Sequence, residues 1–424
     1  MLIPIKLVNK KNKHIIYYTM KTTKTIATIF AVAATCIFAS CDNKPQQEPY
    51  SVRMVKSELI RMPEAWMIDF NTSLKWNYTV GLEVQAMIQA SEMYPEISEA
   101  VWDYTMAYCD TIINEDGTIE KYKKSNYTLD HINPGKMLFY VYDKTGQPRI
   151  KAAMDSLYSQ LQSHPRVAEG GFWHKKVYPH QMWLDGIYME APYYAQYAQR
   201  YLSGDEQKAA YDDIVNQFTV VARHTYDPAN GLYRHAWDES KEMEWSDKVT
   251  GQAPHVWGRA LGWYCMAIVD VLDFLPADYS GRDSLVNILT PLAENLVKIQ
   301  DQATGAWYQV LDQGDREGNY LETSCTSMFA YTFMKAALNG YLPKEYYQHG
   351  LKAYEGINNN FIREDEDGTI SLTRVCGVAG LGGNPYRDGS FDYYVNEIIR
   401  DNDPKGVGPY IMASLIVEKN GRDL

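Results

Sequence analysis

Apolar residues recur along most of this chain in steps of three and four, the period of an α-helix lying against a core. Ile97, Val101, Tyr104 and Tyr108 share one face, as do Ile150, Met154, Leu157 and Leu161. The pattern returns at Tyr211, Ile214, Val215, Phe218 and Ala222, and again at Trp257, Leu261, Tyr264, Ile268 and Leu272, where Pro276 closes the segment. It continues through Leu285, Ile288, Leu289, Leu292, Leu296 and Ile299, then through Tyr347, Leu351 and Tyr354. Alternating, strand-like runs are short and sit beside turns such as Asp116-Gly117 and Asp367-Gly368. The spacing predicts about twelve helices between residues 74 and 417. No Gly- or Pro-rich break divides them, so one all-α domain is expected.

The segments richest in chemistry fall at the starts of alternate helices: Trp76 and Tyr78, Asp130, Asp185, Trp257 and Arg259, Glu322, and the stretch Tyr386–Phe391. They are spaced by roughly one helical hairpin, which suggests a repeated architecture without repeated sequence. Hairpins closed into a ring would bring these starts to one end, as the aromatic, polar mouth of a funnel. A tetratricopeptide solenoid is excluded by the absence of its period and consensus.

The N-terminus reads as an address. Met20-Lys21 and Lys24 precede an apolar run, Ile26 to Phe38, that ends in Ala39-Ser40-Cys41. A basic start, a short apolar stretch and small residues before a cysteine are the marks of a secretory signal, and the run is too short to span a membrane comfortably. The junction resembles a bacterial lipobox with Phe38 in place of the usual Leu, so Cys41 is the expected lipidation site. Residues 1–19 read as lying upstream of the true start. The expected organisation is a signal segment over 1–41, a polar tether over 42–60, and one catalytic domain over 61–424. An exported protein of the periplasm or outer membrane follows, touching a membrane only through that lipid.

Composition narrows the function. A net charge of −12 argues against a nucleic-acid surface. The 34 Tyr and 10 Trp suit stacking on sugars, although most are expected to pack a large helical core, with a minority lining a site. Cys109, Cys265, Cys325 and Cys376 are far apart and read as buried free thiols. Neither CxxC nor HExxH occurs, so a structural or catalytic zinc site has little support.

Two constellations stand out. In His180-Gln181-Met182-Trp183-Leu184-Asp185-Gly186 a carboxylate stands beside Trp at a helix start, with His174 upstream. An apolar wall raises a carboxyl pKa, as a general acid requires, although a carboxylate there also suits a helix cap. In Trp257-Gly258-Arg259-Ala260-Leu261-Gly262-Trp263 a guanidinium fork lies between two stacking faces. A substrate bearing both a carboxylate and a sugar ring would use that pairing. Asp130, His235 and Glu322 are weaker signals, each equally compatible with a structural role. Gly380-Leu381-Gly382-Gly383 lacks the strand–helix context of a nucleotide loop and reads as a rim.

Taken together and in order, HQMWLDGIYMEAP, HAWDE, WGRALGW, TGAWYQVLD, NYLETSCTSMFAY, GLGG and YRDGSFDYY resemble glycoside hydrolase family 105, the unsaturated rhamnogalacturonyl hydrolases. Family 88, the unsaturated glucuronyl hydrolases, is a more distant likeness. The resemblance spans nearly the whole chain after the signal and implies an (α/α)6 barrel acting on an unsaturated uronic-acid oligosaccharide left by a polysaccharide lyase. It implies that Asp185 protonates the C4–C5 double bond and activates the water that adds at C5. Asp130 matches the family's second aspartate. His174, Trp183, His235, Trp257, Arg259 and Trp263 match the walls around the uronate, and Tyr78 matches an aromatic near the entrance. The resemblance implies no metal and no organic cofactor, and Leu261 stands where the family usually has Asn. Unsaturated galacturonyl-rhamnose from pectin is the expected substrate, with an unsaturated glucuronyl end as the alternative. Two rivals remain: an inverting glycosidase using Asp130 and Asp185 on saturated sugars, and a lipoprotein that only binds glycans.

Overall fold

The computed structural model describes residues 48–422. The signal segment, Cys41 and residues 42–47 of the expected tether lie outside the described residues. Among the described residues there are thirteen helices. In chain order they are α1 (Tyr50–Arg61), α2 (Tyr78–Met93), α3 (Ser98–Ile112), α4 (Gly135–Thr145), α5 (Pro148–Ser163), α6 (Leu184–Tyr201) and α7 (Gly204–Thr225). Then follow α8 (Gly258–Val271), α9 (Gly281–Lys298), α10 (Thr323–Leu338), α11 (Tyr346–Asn360), α12 (Phe391–Asn396) and α13 (Pro404–Arg422).

Six of them close a ring: α2 packs on α4, α4 on α6, α6 on α8, α8 on α10, α10 on α13, and α13 back on α2. The sequence dictates which helices go inside. Every residue of α8 is buried, and α6 and α10 are apolar or small on nearly all faces. A helix apolar all round has to be enclosed by others. The outer helices carry one stripe only, such as Leu285, Leu289, Leu292 and Leu296 of α9. Each of α1, α3, α5, α7, α9 and α11 backs an inner helix. The molecule is therefore an (α/α)6 barrel. The four cysteines of the described residues are buried free thiols, as expected.

One expectation is corrected. Residues 50–60, placed in the tether, belong to the barrel helix α1. It buries Val52, Met54 and Val55 and packs on α13, and its Ser57 hydroxyl accepts from the Ile370 N–H at 2.9 Å. Its apolar stripe is narrow and interrupted by Arg53, Lys56 and Arg61.

Short two-stranded antiparallel ladders link the helices. The one that matters for the site pairs Gln181–Trp183 with Ala236–Asp238, setting Trp183 opposite Ala236.

Candidate active site

The starts of the inner helices gather around a cavity of about 150 Å³, a volume that suits a single six-membered ring. Tyr78, Asp130, His174, Lys175, Tyr178 and Trp183 line one part of it, and Asp185, Met189, Val378, Ala379 and Arg387 the rest.

Asp185 lies in the first turn of α6, directly after the strand Gln181–Trp183. It does not cap the helix: Trp183 occupies that position, and no side chain bonds the free N–H groups there. The strand pairing carries through Leu184, whose N–H donates to the His235 carbonyl at 3.0 Å. That register brings His235 Nε2 to 3.1 Å from Asp185 Oδ2. His235 is fully buried, and its Nδ1 lies 2.7 Å from the Tyr394 hydroxyl. Burial pushes the Tyr394 phenol well above its ordinary range, so it keeps its proton. Asp185 Oδ2 and His235 Nε2 face each other without hydrogen-bond alignment, and neither has another partner. A buried carboxylate oxygen left unpaired at a cavity is costly unless something else completes it.

Trp183 forms the wall beside Asp185. Its indole is parallel to the His174 ring at 4.6 Å and to the Tyr178 ring at 5.2 Å, and His235 meets its edge at 5.2 Å. Gly186 permits this arrangement, because a Cβ there would stand 3.0 Å from His174 Nδ1 and 3.1 Å from Leu129.

Asp130 sits in the 3-10 turn Leu129–His131, with Lys175 Nζ 2.5 Å from Oδ2 and His174 Nε2 3.8 Å from Oδ1. Burial alone would raise its pKa, but Lys175 and His174 outweigh burial and hold the carboxyl below its usual range. Burial drops the His174 imidazole to about 4, against the pull of Asp130, so His174 is neutral at pH 7. The Lys175 charge is taken up by Asp130.

The structure thus brings Tyr78, Asp130, His174, Trp183 and Asp185 together at the cavity, with His235 immediately behind. Trp257, Arg259 and Trp263 do not line it. Trp257 stacks near Tyr394 at 5.9 Å and donates from Nε1 to Gln309. Trp263 lies under Tyr188 at 4.7 Å and edge-on to Tyr78 at 6.4 Å. The expectation that Arg259 presents its fork to a substrate is corrected: the guanidinium is 1% exposed and donates to the carbonyls of Cys376 and Gly377. Glu322 takes the capping role. It accepts from the Cys325 N–H at 2.8 Å and the Cys376 N–H at 2.9 Å.

Sequence reasoning missed Lys175, Tyr178 and Arg387. Arg387 donates from Nε to the Gly382 carbonyl at 2.8 Å, and from Nη2 to the Tyr178 hydroxyl at 3.0 Å and the Leu381 carbonyl at 3.2 Å. All these partners are neutral. Gly380 leaves room for this side chain, since a Cβ there would come within 2.2 Å of Arg387 Nη1, and Gly382 and Gly383 take positive φ. The signal was available, because GLGG and YRDGSFDYY had each been singled out but not joined. Among the described residues no three His, Cys, Asp or Glu side chains converge as a metal site requires.

Comparison with known proteins places this geometry. A family model described as Glycosyl Hydrolase Family 88 matches residues 50–420. A solved structure of a family 105 glycoside hydrolase from C. acetobutylicum is 42% identical, with a TM-score of 0.82 over 88% of this chain and 100% of that one. Protein Atu3128 of Agrobacterium fabrum is 41% identical over 208 residues, 48% of this chain and 88% of its own length. The unsaturated rhamnogalacturonyl hydrolase YesR of Bacillus subtilis is 25% identical over 250 residues, 58% of this chain and 66% of its own length.

Proposed function

This chain belongs to Glycosyl Hydrolase Family 88, its kinship lying with the family 105 enzymes, and we propose that it removes the terminal unsaturated uronic acid from lyase-generated oligosaccharides by hydrating the double bond. The observation that carries this reading is the buried, unpartnered Oδ2 of Asp185 at the end of a one-ring cavity. There it meets C4 of the bound ring. Asp185 gives its proton to C4 of the C4=C5 bond, and positive charge develops at C5 and the ring oxygen. The carboxylate so formed takes a proton from water as the water oxygen bonds to C5, so one group serves as acid and then as base. The hemiketal that results opens its ring, and the hemiacetal left at C1 releases the rest of the chain. His235, its Nε2 3.1 Å from Asp185 Oδ2 and its Nδ1 held by Tyr394, packs behind the carboxylate. Asp130, kept ionised by Lys175, accepts from ring hydroxyls. Trp183, its ring stacked on those of His174 and Tyr178, forms the apolar wall beside the carboxylate.

The substrate carboxylate has to be neutralised in a partly dry pocket. Arg259 is committed to backbone carbonyls and Lys175 to Asp130, which leaves Arg387 as the cation for it. Unsaturated galacturonyl-rhamnose is the favoured substrate, supported by the likeness to the rhamnogalacturonyl hydrolase of B. subtilis. Loss of the double-bond absorbance from lyase-treated rhamnogalacturonan disaccharide tests it, with an unsaturated glucuronyl disaccharide in parallel. Turnover of the glucuronyl substrate alone would reassign the sugar. Export with a lipid at Cys41 belongs to the same reading, and radiolabelled fatty acid incorporation lost in Cys41→Ser tests it.

A further inference from the structure

A second concavity, of about 740 Å³, adjoins the catalytic cavity and has Lys175 on the wall of both. Its other lining residues include Lys123, Ser125, Asn126, Thr128 and Lys176. Two chain segments build it, held side by side by the bridge between Thr128 and Lys175 and by the Lys176 N–H donating to the Tyr127 carbonyl at 2.9 Å. No Asp or Glu lines the groove. Lys123 and Lys176 are exposed and have no carboxylate partner among the described residues, Lys176 lying 5.8 Å over the Tyr127 ring. Asp130, two residues beyond Thr128, is engaged by Lys175. In a chain of net charge −12, a groove lined by lysines beside the active site favours a ligand of opposite charge.

Size and polarity define that ligand. The catalytic cavity suits one ring, so the sugars that follow it must leave through an adjoining channel. Ser125, Asn126 and Thr128 offer the hydrogen-bonding groups that sugar hydroxyls need. We propose that this groove binds the sugars on the reducing side of the cleaved linkage, and that Lys123 and Lys176 select chains carrying a negative charge there. The charge is a sulfate ester on the second sugar or the carboxylate of a further uronic acid. The proposal rests on the unsaturated uronyl reading of the cavity and adds to it a preference among substrates.

The test compares three substrates that share the unsaturated terminal uronate and the second sugar. One is a disaccharide with a neutral second sugar, one the same disaccharide sulfated on that sugar, and one a tetrasaccharide with a further uronate. In about 20 mM salt the wild type is expected to turn over one charged substrate with kcat/KM about three- to tenfold above the neutral disaccharide, the scale of two exposed ion pairs. The preference should collapse near 0.5 M salt, where screening shortens to roughly 4 Å. The Lys123→Gln/Lys176→Gln double variant should lose the preference and keep the neutral rate. Which charged substrate is preferred identifies the source of the charge. Equal kcat/KM on all three substrates, or a preference that survives in the double variant, overturns the proposal. Failure to consume the double bond of any of the three would instead sink the reading of the cavity, and this proposal with it.

Discussion

Replacing Arg387 separates a carboxylate receptor from a loop support. Its guanidinium touches only neutral groups, the carbonyls of Gly382 and Leu381 and the Tyr178 hydroxyl, and it lines the cavity with no acidic partner. A charge-assisted hydrogen bond contributes about 1.5–3 kcal/mol. Removing the fork with Arg387→Ala should therefore lower kcat/KM on the unsaturated acid by about 10- to 150-fold, since 1.4 kcal/mol is a factor of ten. Arg387→Lys keeps the charge but not the planar fork and should fall between. The side chain also holds the Gly380–Gly383 loop, so loss of rate alone does not distinguish the two roles. The methyl ester of the same substrate does. Wild type should prefer the acid to the ester by about the same 10- to 150-fold. Arg387→Ala should abolish that preference while leaving the ester rate within about threefold of wild type. Both rates are read from the double-bond absorbance. If acid and ester rates fall by the same factor, Arg387 only supports the loop, and the assignment of the carboxylate is refuted.

Other outcomes follow from burial. Glu190 of α6 is fully buried with both carboxyl oxygens unpartnered, and burial holds its pKa well above the usual range. A raised folded pKa gives stability below the ordinary Glu value that drains away as pH rises, by about 1.4 kcal/mol per unit until the buried group ionises. Glu190→Gln should accordingly match wild type in urea unfolding near pH 4.5 and exceed it at pH 7.5, and equal midpoints at both would contradict the assignment. His164 runs the other way. Burial lowers its imidazole to about 4, so its share of stability is complete above about pH 6.5 and is lost on acidification toward 4. Over that window the unfolding free energy of wild type should rise with pH about 1.4 kcal/mol per unit more steeply than that of His164→Gln, and parallel slopes would contradict it. Val55→Asp would bury an unpaired charge in α1 and should cost about 3 kcal/mol or more in urea unfolding. A tether would tolerate the change without loss.

How far the sequence carried the account depends on what kind of signal each element left. Inner helices such as α8 were legible because enclosure on all sides leaves a continuous apolar record. α1 was not, because a short outer helix needs few apolar residues and its partner α13 lies at the far end of the chain. Trp183, Asp185 and His174 were legible as a local cluster bound to one helix start. Arg259 was found, but its direction was not, since the carbonyls that hold it belong to a loop more than a hundred residues away. Lys175 and Arg387 gain their meaning only when the loop 174–178 meets the loop 380–387, where Arg387 donates to Tyr178. Spacing along the chain does not record such meetings.

The central claim is that Asp185, beside His235 and Trp183, is the acid that protonates the double bond. It is tested most directly by following double-bond absorbance on unsaturated rhamnogalacturonan disaccharide with wild type and Asp185→Asn, after confirming that both bind it. Wild type should consume the double bond, and the variant should lose about 10²–10⁴-fold in kcat with binding retained. An Asp185→Asn protein that hydrates the substrate at the wild-type rate would contradict it.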